Sequence, residues 1–154
     1  MIAEQFKPLH SELPHRLLVI EDSEEDYEMF MRVVNKNSIK CLIHHSETGE
    51  EALKFLQNSN KEKFPNPSLI LLDLNLPGIN GKKVLQKIKS DPFFNLIPVV
   101  IFSSSSHSKD IEDCYSKGAN AYVIKPMNVI LLEEYIKTIL SHWLNVNTPC
   151  SKML

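Results

Sequence analysis

The apolar residues of this chain gather into five short blocks. They are Arg16-Leu17-Leu18-Val19-Ile20, Cys41-Leu42-Ile43-His44-His45, Leu69-Ile70-Leu71-Leu72, Pro98-Val99-Val100-Ile101-Phe102 and Ala121-Tyr122-Val123-Ile124. Blocks this short, bounded by Pro, Gly and charged residues, read as strands, and unbroken apolar runs read as strands covered on both faces. The third is the plainest: it is bracketed by Pro67 and Pro77-Gly78 and stops at a charge, Asp73. Between the blocks the apolar spacing changes to the helical one. Ser23 with Asp26 three residues on resembles a capping box, and Tyr27, Phe30, Met31, Val33 and Val34 then mark one helical face, ending near Asn37. A second helix follows Thr48-Gly49 and buries Ala52, Leu53, Phe55 and Leu56; a third, from Lys82 to about Ser90, buries Val84, Leu85 and Ile88. Asp91-Pro92 stops the third helix, and Phe93, Phe94 and Leu96 are expected to pack down on the core. Asp110 to Lys117 makes a fourth helix closed by Gly118, and the fifth runs from about Asn128 to Asn145.

Five strands alternating with five helices predict an α/β fold, a doubly wound parallel sheet with helices on both faces. Right-handed crossovers leave few topologies, and the expected one is the flavodoxin-like strand order 2-1-3-4-5. The chain's 154 residues suffice for one domain. We expect an arm at 1–15, the domain at 16–145 and a tail at 146–154. The segment from Gln57 to Pro67, polar and lysine-bearing with two prolines, reads as a surface connection.

Composition removes several function classes. The formal net charge of −2 supplies no general attraction to nucleic acid. No run of 18 apolar residues or signal-like N-terminus is present, so a membrane span is not expected and a cytoplasmic location is. The three cysteines, Cys41, Cys114 and Cys150, have no metal-ligand spacing and read as reduced thiols, Cys150 being the exposed one. His44 and His45 are adjacent on a strand, so they face opposite ways and do not share a metal.

The chemistry sits at strand ends. A single Asp after a strand is more often a cap or turn residue, so Asp73 alone means little. In the expected strand order, however, Glu21 and Asp22 after the first strand, Asp73 after the third, Ser103 after the fourth and Lys125 after the fifth share one rim. Three crowded carboxylates repel unless cations intervene. Lys125 supplies one positive charge. A hard divalent ion would supply the rest, and Mg²⁺ suits such a site where a phosphate also binds. An Asp beside Mg²⁺ and Lys can attack a phosphoryl group, whose equatorial charge the cations stabilise.

These residues resemble the receiver domain of two-component response regulators, the CheY-like family. The resemblance rests on Glu21-Asp22, on Asp73-Leu74-Asn75-Leu76-Pro77-Gly78-Ile79-Asn80-Gly81, on Ser103 and on Lys125-Pro126, and spans about residues 16 to 142. It implies that Asp73 is the phosphoacceptor, forming a 4-aspartylphosphate. It also implies that Asp22 and Asp73 ligate Mg²⁺ with the Asn75 backbone carbonyl, Glu21 assisting. Ser103 would move toward the phosphoryl group, Lys125 would pair with it, Tyr122 would be the switch aromatic, and Lys125-Pro126 would be cis. Glu21 stands where the family often has Asp, and Ser103 where it often has Thr. Such a protein is a phosphoacceptor rather than a turnover enzyme, with at most slow autodephosphorylation.

No DNA-binding or catalytic segment follows the fifth helix in this sequence, so the expectation is a single-domain regulator acting by docking to an unidentified downstream protein, or by phosphorelay. The stretch from Ile97 to Ser106, the Asp73 motif and the long connection before the third strand resemble the small response regulators of bacterial, mainly cyanobacterial, phytochromes. That implies a phytochrome histidine kinase as donor and a homodimer through the fourth helix, fifth strand and fifth helix (the α4-β5-α5 side). The last helix agrees: Val129, Leu132, Ile136, Leu140 and Trp143 make one stripe, and Leu131, Tyr135, Ile139, Leu144 and Val146 widen it beyond a core-facing arc. Two rivals use related parts. A haloacid-dehalogenase-type (HAD-like) phosphohydrolase needs a second Asp where Asn75 stands. A flavodoxin-like cofactor binder would present its phosphate to the acidic run Glu21 to Asp26, which repels it.

Overall fold

A computed structural model describes residues 15–58 and 66–150. In chain order the elements are β1 (His15–Ile20), α1 (Glu24–Lys36), β2 (Cys41–Ser46), α2 (Gly49–Asn58), β3 (Leu69–Leu72), α3 (Gly81–Ser90), β4 (Val99–Ser103), α4 (Ser108–Ser116), β5 (Ala121–Ile124) and α5 (Val129–Leu140), with a π-helical turn over Ser141–Val146. The strands form one parallel sheet ordered β2-β1-β3-β4-β5, the order expected from the alternation of apolar blocks. The expected arm lies outside the described residues except for His15, which opens β1.

Alternation along each strand divides the core in two. Leu18, Ile20, Ile70, Leu72, Val99 and Ile101 face Leu56 of α2, Val84, Leu85 and Ile88 of α3 and Cys114 of α4. Leu17, Val19, Leu69, Leu71, Val100 and Phe102 face Phe30, Val33 and Val34 of α1 and Ile136, Ile139 and Leu140 of α5. Every residue of β3 and β4 is buried, which explains why their sequences are solid apolar runs rather than alternating ones. β2 is an edge strand and alternates between half-buried and exposed positions. There His44 stacks on Phe55 of α2 at 3.7 Å and His45 on Tyr27 of α1 at 3.6 Å, so the two imidazoles do face opposite sides of the sheet.

The structure corrects five local expectations. Phe94 packs into the core, but Phe93 and Leu96 are 65% and 47% exposed. The Asp91 carboxylate accepts from the Phe93 amide at 2.8 Å, and the tight turn this closes sends successive side chains in and out. α4 begins at Ser108, two residues before Asp110, because its cap is His107. The last helix does not run unbroken to Asn145: α5 ends at Leu140, and the wider π turn seats Leu144 in the core and Trp143 half-buried against it. Val129, placed in the core stripe by its spacing, is exposed, since it is the first helical residue beyond the Asn128 cap. Finally, no cis peptide occurs among the described residues, so Lys125-Pro126 is trans, the ordinary isomer of an X–Pro bond.

Candidate functional site

The rim at the carboxyl ends of β1 and β3 is fixed by backbone before any side chain matters. The Glu21 amide donates to the Ser46 carbonyl at 3.0 Å and the Asp73 amide to the Ile20 carbonyl at 3.0 Å, so the ladder carries both residues one step past their strands. Glu21 and Asp73 are 6% and 7% exposed, and Asp22 is exposed. One oxygen from each of Glu21, Asp22 and Asp73 lies within 4.8 Å of the others. They make a set of hard oxygen donors, the kind that suits a small divalent cation.

The loop after Asp73 is shaped by two glycines. Gly78 sits at φ +72°, the left-handed region that the turn after Pro77 requires. A Cβ on Gly81 would lie 2.4 Å from the Asp73 carbonyl oxygen and 2.6 Å from the Leu74 Cα, so only glycine lets α3 start this close behind Asp73. Asn80 caps α3, its side chain accepting from the Lys83 amide at 3.0 Å, and Glu50 of α2 accepts from the Ile79 amide at 3.0 Å. The Asn75 amide reaches back to Asp73 Oδ1 at 3.2 Å.

Lys125 enters from the end of β5. Its amide donates to the Ser103 carbonyl at 2.8 Å, extending the β4–β5 ladder. Its stem passes over the Phe102 ring, whose centroid lies 5.6 Å from Nζ. The ammonium contacts three carboxylates: Glu21 Oε2 at 2.6 Å, Asp26 Oδ2 at 2.8 Å and Asp73 Oδ2 at 3.2 Å. Ser103 is fully buried, and its hydroxyl oxygen accepts from the Ser105 amide at 3.3 Å. The Tyr122 hydroxyl donates to the Ser105 carbonyl at 2.9 Å. Thus Glu21, Asp22, Asp73 and Lys125 meet at one point, and Ser103 and Tyr122 are joined to each other through Ser105.

Electrostatics follow from one cation among several acids. Burial pushes the Glu21 carboxyl up to about 7; the charge and hydrogen bond of Lys125 pull the other way, and the charge of Asp73 adds to the rise. Burial alone would lower the Lys125 pKa, but Glu21 and Asp73, with hydrogen bonds to Asp26 and Glu21, outweigh it and push it up. Lys125 therefore stays charged, and the surplus negative charge is relieved at Glu21.

Asp26 is the residue that sequence reasoning missed at this site, because it read as part of a capping box. Half of that box forms: Ser23 Oγ accepts from the Asp26 amide at 3.3 Å. The reciprocal bond does not, since the Ser23 amide donates to Glu21 Oε1 at 3.0 Å and the Asp26 carboxylate turns to Lys125 instead. The available signal was spacing, because Asp26 lies one helical turn after Asp22. His45 was also passed over; its Nε2 donates to the Glu21 carbonyl at 2.7 Å and helps hold the β1 end.

A doubly wound sheet with a buried Asp, two further acids and a Lys converging at its carboxyl rim defines a receiver. The chain belongs to the response regulator receiver domain family, whose pattern matches residues 17–137. It is 35% identical over 136 residues to the response regulator Rcp1 of Synechocystis, covering 88% of this chain and 92% of that one. A solved Mn²⁺-bound form of Rcp1 superposes with a TM-score of 0.82 at 34% identity, over 90% of this chain and 100% of the other. The phosphorylated cyanobacterial phytochrome response regulator RcpA gives a TM-score of 0.83 at 32% identity, over 90% of this chain and 100% of that one. A probable methanogenesis regulatory protein, FilR2 of Methanothrix harundinacea, is 31% identical over 139 residues, covering 90% of each. Membership in this family favours neither the phosphohydrolase nor the flavodoxin-like rival. Among the described residues no helix is long and apolar enough to cross a membrane.

Proposed function

We propose that this response regulator receives a phosphoryl group on Asp73 from the phosphohistidine of a sensor kinase. The observation that carries the reading is the convergence on Asp73: a buried carboxylate held by the Lys125 ammonium and the Asn75 amide, beside two more acids. A carboxylate oxygen of Asp73 forms the new P–O bond as the P–N bond breaks, and the imidazole leaves with the bonding pair and takes up a proton from solvent. Lys125, charged throughout, pairs with the equatorial oxygens as negative charge spreads over them. A divalent ion, Mg²⁺ in our reading, held by Glu21, Asp22, Asp73 and the Asn75 carbonyl, supplies further positive charge there. Ser103 then turns its Oγ away from the Ser105 amide and donates its O–H to the phosphoryl group. The Ser105 amide loses an acceptor, the loop shifts, and Tyr122, bonded to the Ser105 carbonyl, follows. Asp73, Lys125 and Ser103 thus carry the chemistry, and Ser103 and Tyr122 the switch, in a cytoplasmic protein.

The likeness to Rcp1 and RcpA supports a phytochrome histidine kinase as donor, with the signal passed to a downstream protein by docking. A homodimer through α4, β5 and α5 is supported by the apolar residues exposed there: Met127 and Ile130 are 101% and 74% exposed, and Tyr115, Ile124, Leu131 and Tyr135 of the same elements are exposed as well. Transfer of labelled phosphoryl from an autophosphorylated phytochrome kinase tests the donor. Rapid loss from the kinase with gain on this chain is expected; loss no faster than to an unrelated receiver would contradict it. Light scattering over a concentration series tests the dimer, which Ile130→Asp should abolish; a monomer at every concentration, with and without beryllofluoride, would overturn it.

A further inference from the structure

Asp26 is charged, touches the reacting centre, and has no part in the steps above. It is not one of the three acids whose oxygens cluster within 4.8 Å, yet its Oδ2 lies 2.8 Å from Lys125 Nζ. Two features aim it there. The first turn of α1 fixes its backbone through the Ser23 cap, and the Ser23 amide, which would otherwise hold its carboxylate, is already taken by Glu21.

The count of donors gives this contact a consequence. An ammonium has three N–H groups, and Glu21, Asp26 and Asp73 take one each. Lys125 can meet an incoming phosphoryl oxygen only when one carboxylate lets go. Asp73 has the longest contact, 3.2 Å, and loses its charge on becoming an acyl phosphate. Glu21 lies in the acid cluster and is drawn to any cation bound there. Asp26 remains as the fixed rival, 46% exposed against 10% for Lys125, and so within reach without being sealed in. A small cavity lined by Asp26, Phe30, Phe102, Lys125 and Leu132 lies beside this contact.

Resting on the phosphoacceptor reading, we infer that Asp26 is a positioning residue that tethers Lys125 to the first turn of α1 and competes with the phosphoryl group for its ammonium. As a fixed negative charge it favours cations at the rim and disfavours anions. Asp26→Asn keeps the size and an acceptor oxygen but removes the charge. Two ligands should therefore respond in opposite senses: Mg²⁺ binds about two- to fivefold more weakly, and beryllofluoride at saturating Mg²⁺ about two- to fivefold more tightly, as befits a half-exposed ion pair. Asp26→Glu should restore both. Titration calorimetry of the full chain reads both constants. A purely structural role for Asp26 would weaken both ligands together, and that result, or no change in either, would overturn the inference alone. Failure of the unaltered protein to bind beryllofluoride with Mg²⁺ would overturn the phosphoacceptor reading, and this inference with it.

Discussion

Glu21→Gln makes the electrostatics of the rim measurable without any phosphate. The glutamine keeps the shape of Glu21 and an oxygen for Lys125 or for the Ser23 amide, and removes only the titration. Glu21 ordinarily titrates at 4.5 and is held at about 7 in the fold, chiefly by burial. Between these values the folded chain holds a proton that the unfolded chain has released, so stability falls as pH rises. The full contribution is present below pH 4.5 and is lost as pH passes through about 7. A gap of about 2.5 pKa units corresponds to about 3 kcal/mol. Urea melts of both proteins without divalent metal, followed by the fluorescence of the single tryptophan, Trp143, should nearly coincide at pH 4.5. At pH 8 the variant should be more stable by about 3 kcal/mol. Adding Mg²⁺ should narrow the gap by stabilising the ionised Glu21 of the unaltered protein, with release of about half a proton per ion bound at pH 7. Parallel pH profiles for the two proteins would refute the assignment of the surplus charge to Glu21.

Further outcomes follow from packing and exposure. Gly81→Ala should destabilise by about 3 kcal/mol, because the added methyl meets backbone on two sides, and a urea melt within 0.5 kcal/mol or so of the unaltered protein would contradict the close approach of α3 to Asp73. Ile101→Ala, at a fully buried position of β4, should cost about 2–5 kcal/mol by the same assay. A thiol reagent should label Cys150 at once and Cys41 more slowly, and reach Cys114 only on unfolding, since Cys114 is buried and burial pushes its thiol up.

Where the fold was legible, neighbours in sequence carried the information. The run Leu69 to Leu72 reads as a strand covered on both faces because helices from both sides bury it, and the charge that ends it falls on the rim because the sheet is parallel there. The strand order then brought Lys125 to Asp73 and to Glu21 across separations of 52 and 104 residues. Asp26 was not legible for the same reason in reverse. Its partner lies 99 residues away, and a first-turn carboxylate has a local explanation that satisfies every nearby residue. Phe93 and Leu96 look like core by composition, but a turn of a few residues decides side by side which rings go in. The π turn after Leu140 depends on where Leu144 and Trp143 find space against α5 and the sheet, which no helical periodicity reports.

The most direct measurement is the intact mass of the protein after incubation with acetyl phosphate and Mg²⁺, beside the same experiment on Asp73→Asn and on the unaltered protein without metal. The account predicts one added phosphoryl group on the unaltered protein with Mg²⁺, on Asp73 by fragment mapping, and none in either control. An adduct that persists in Asp73→Asn, or that maps to another residue, would contradict it.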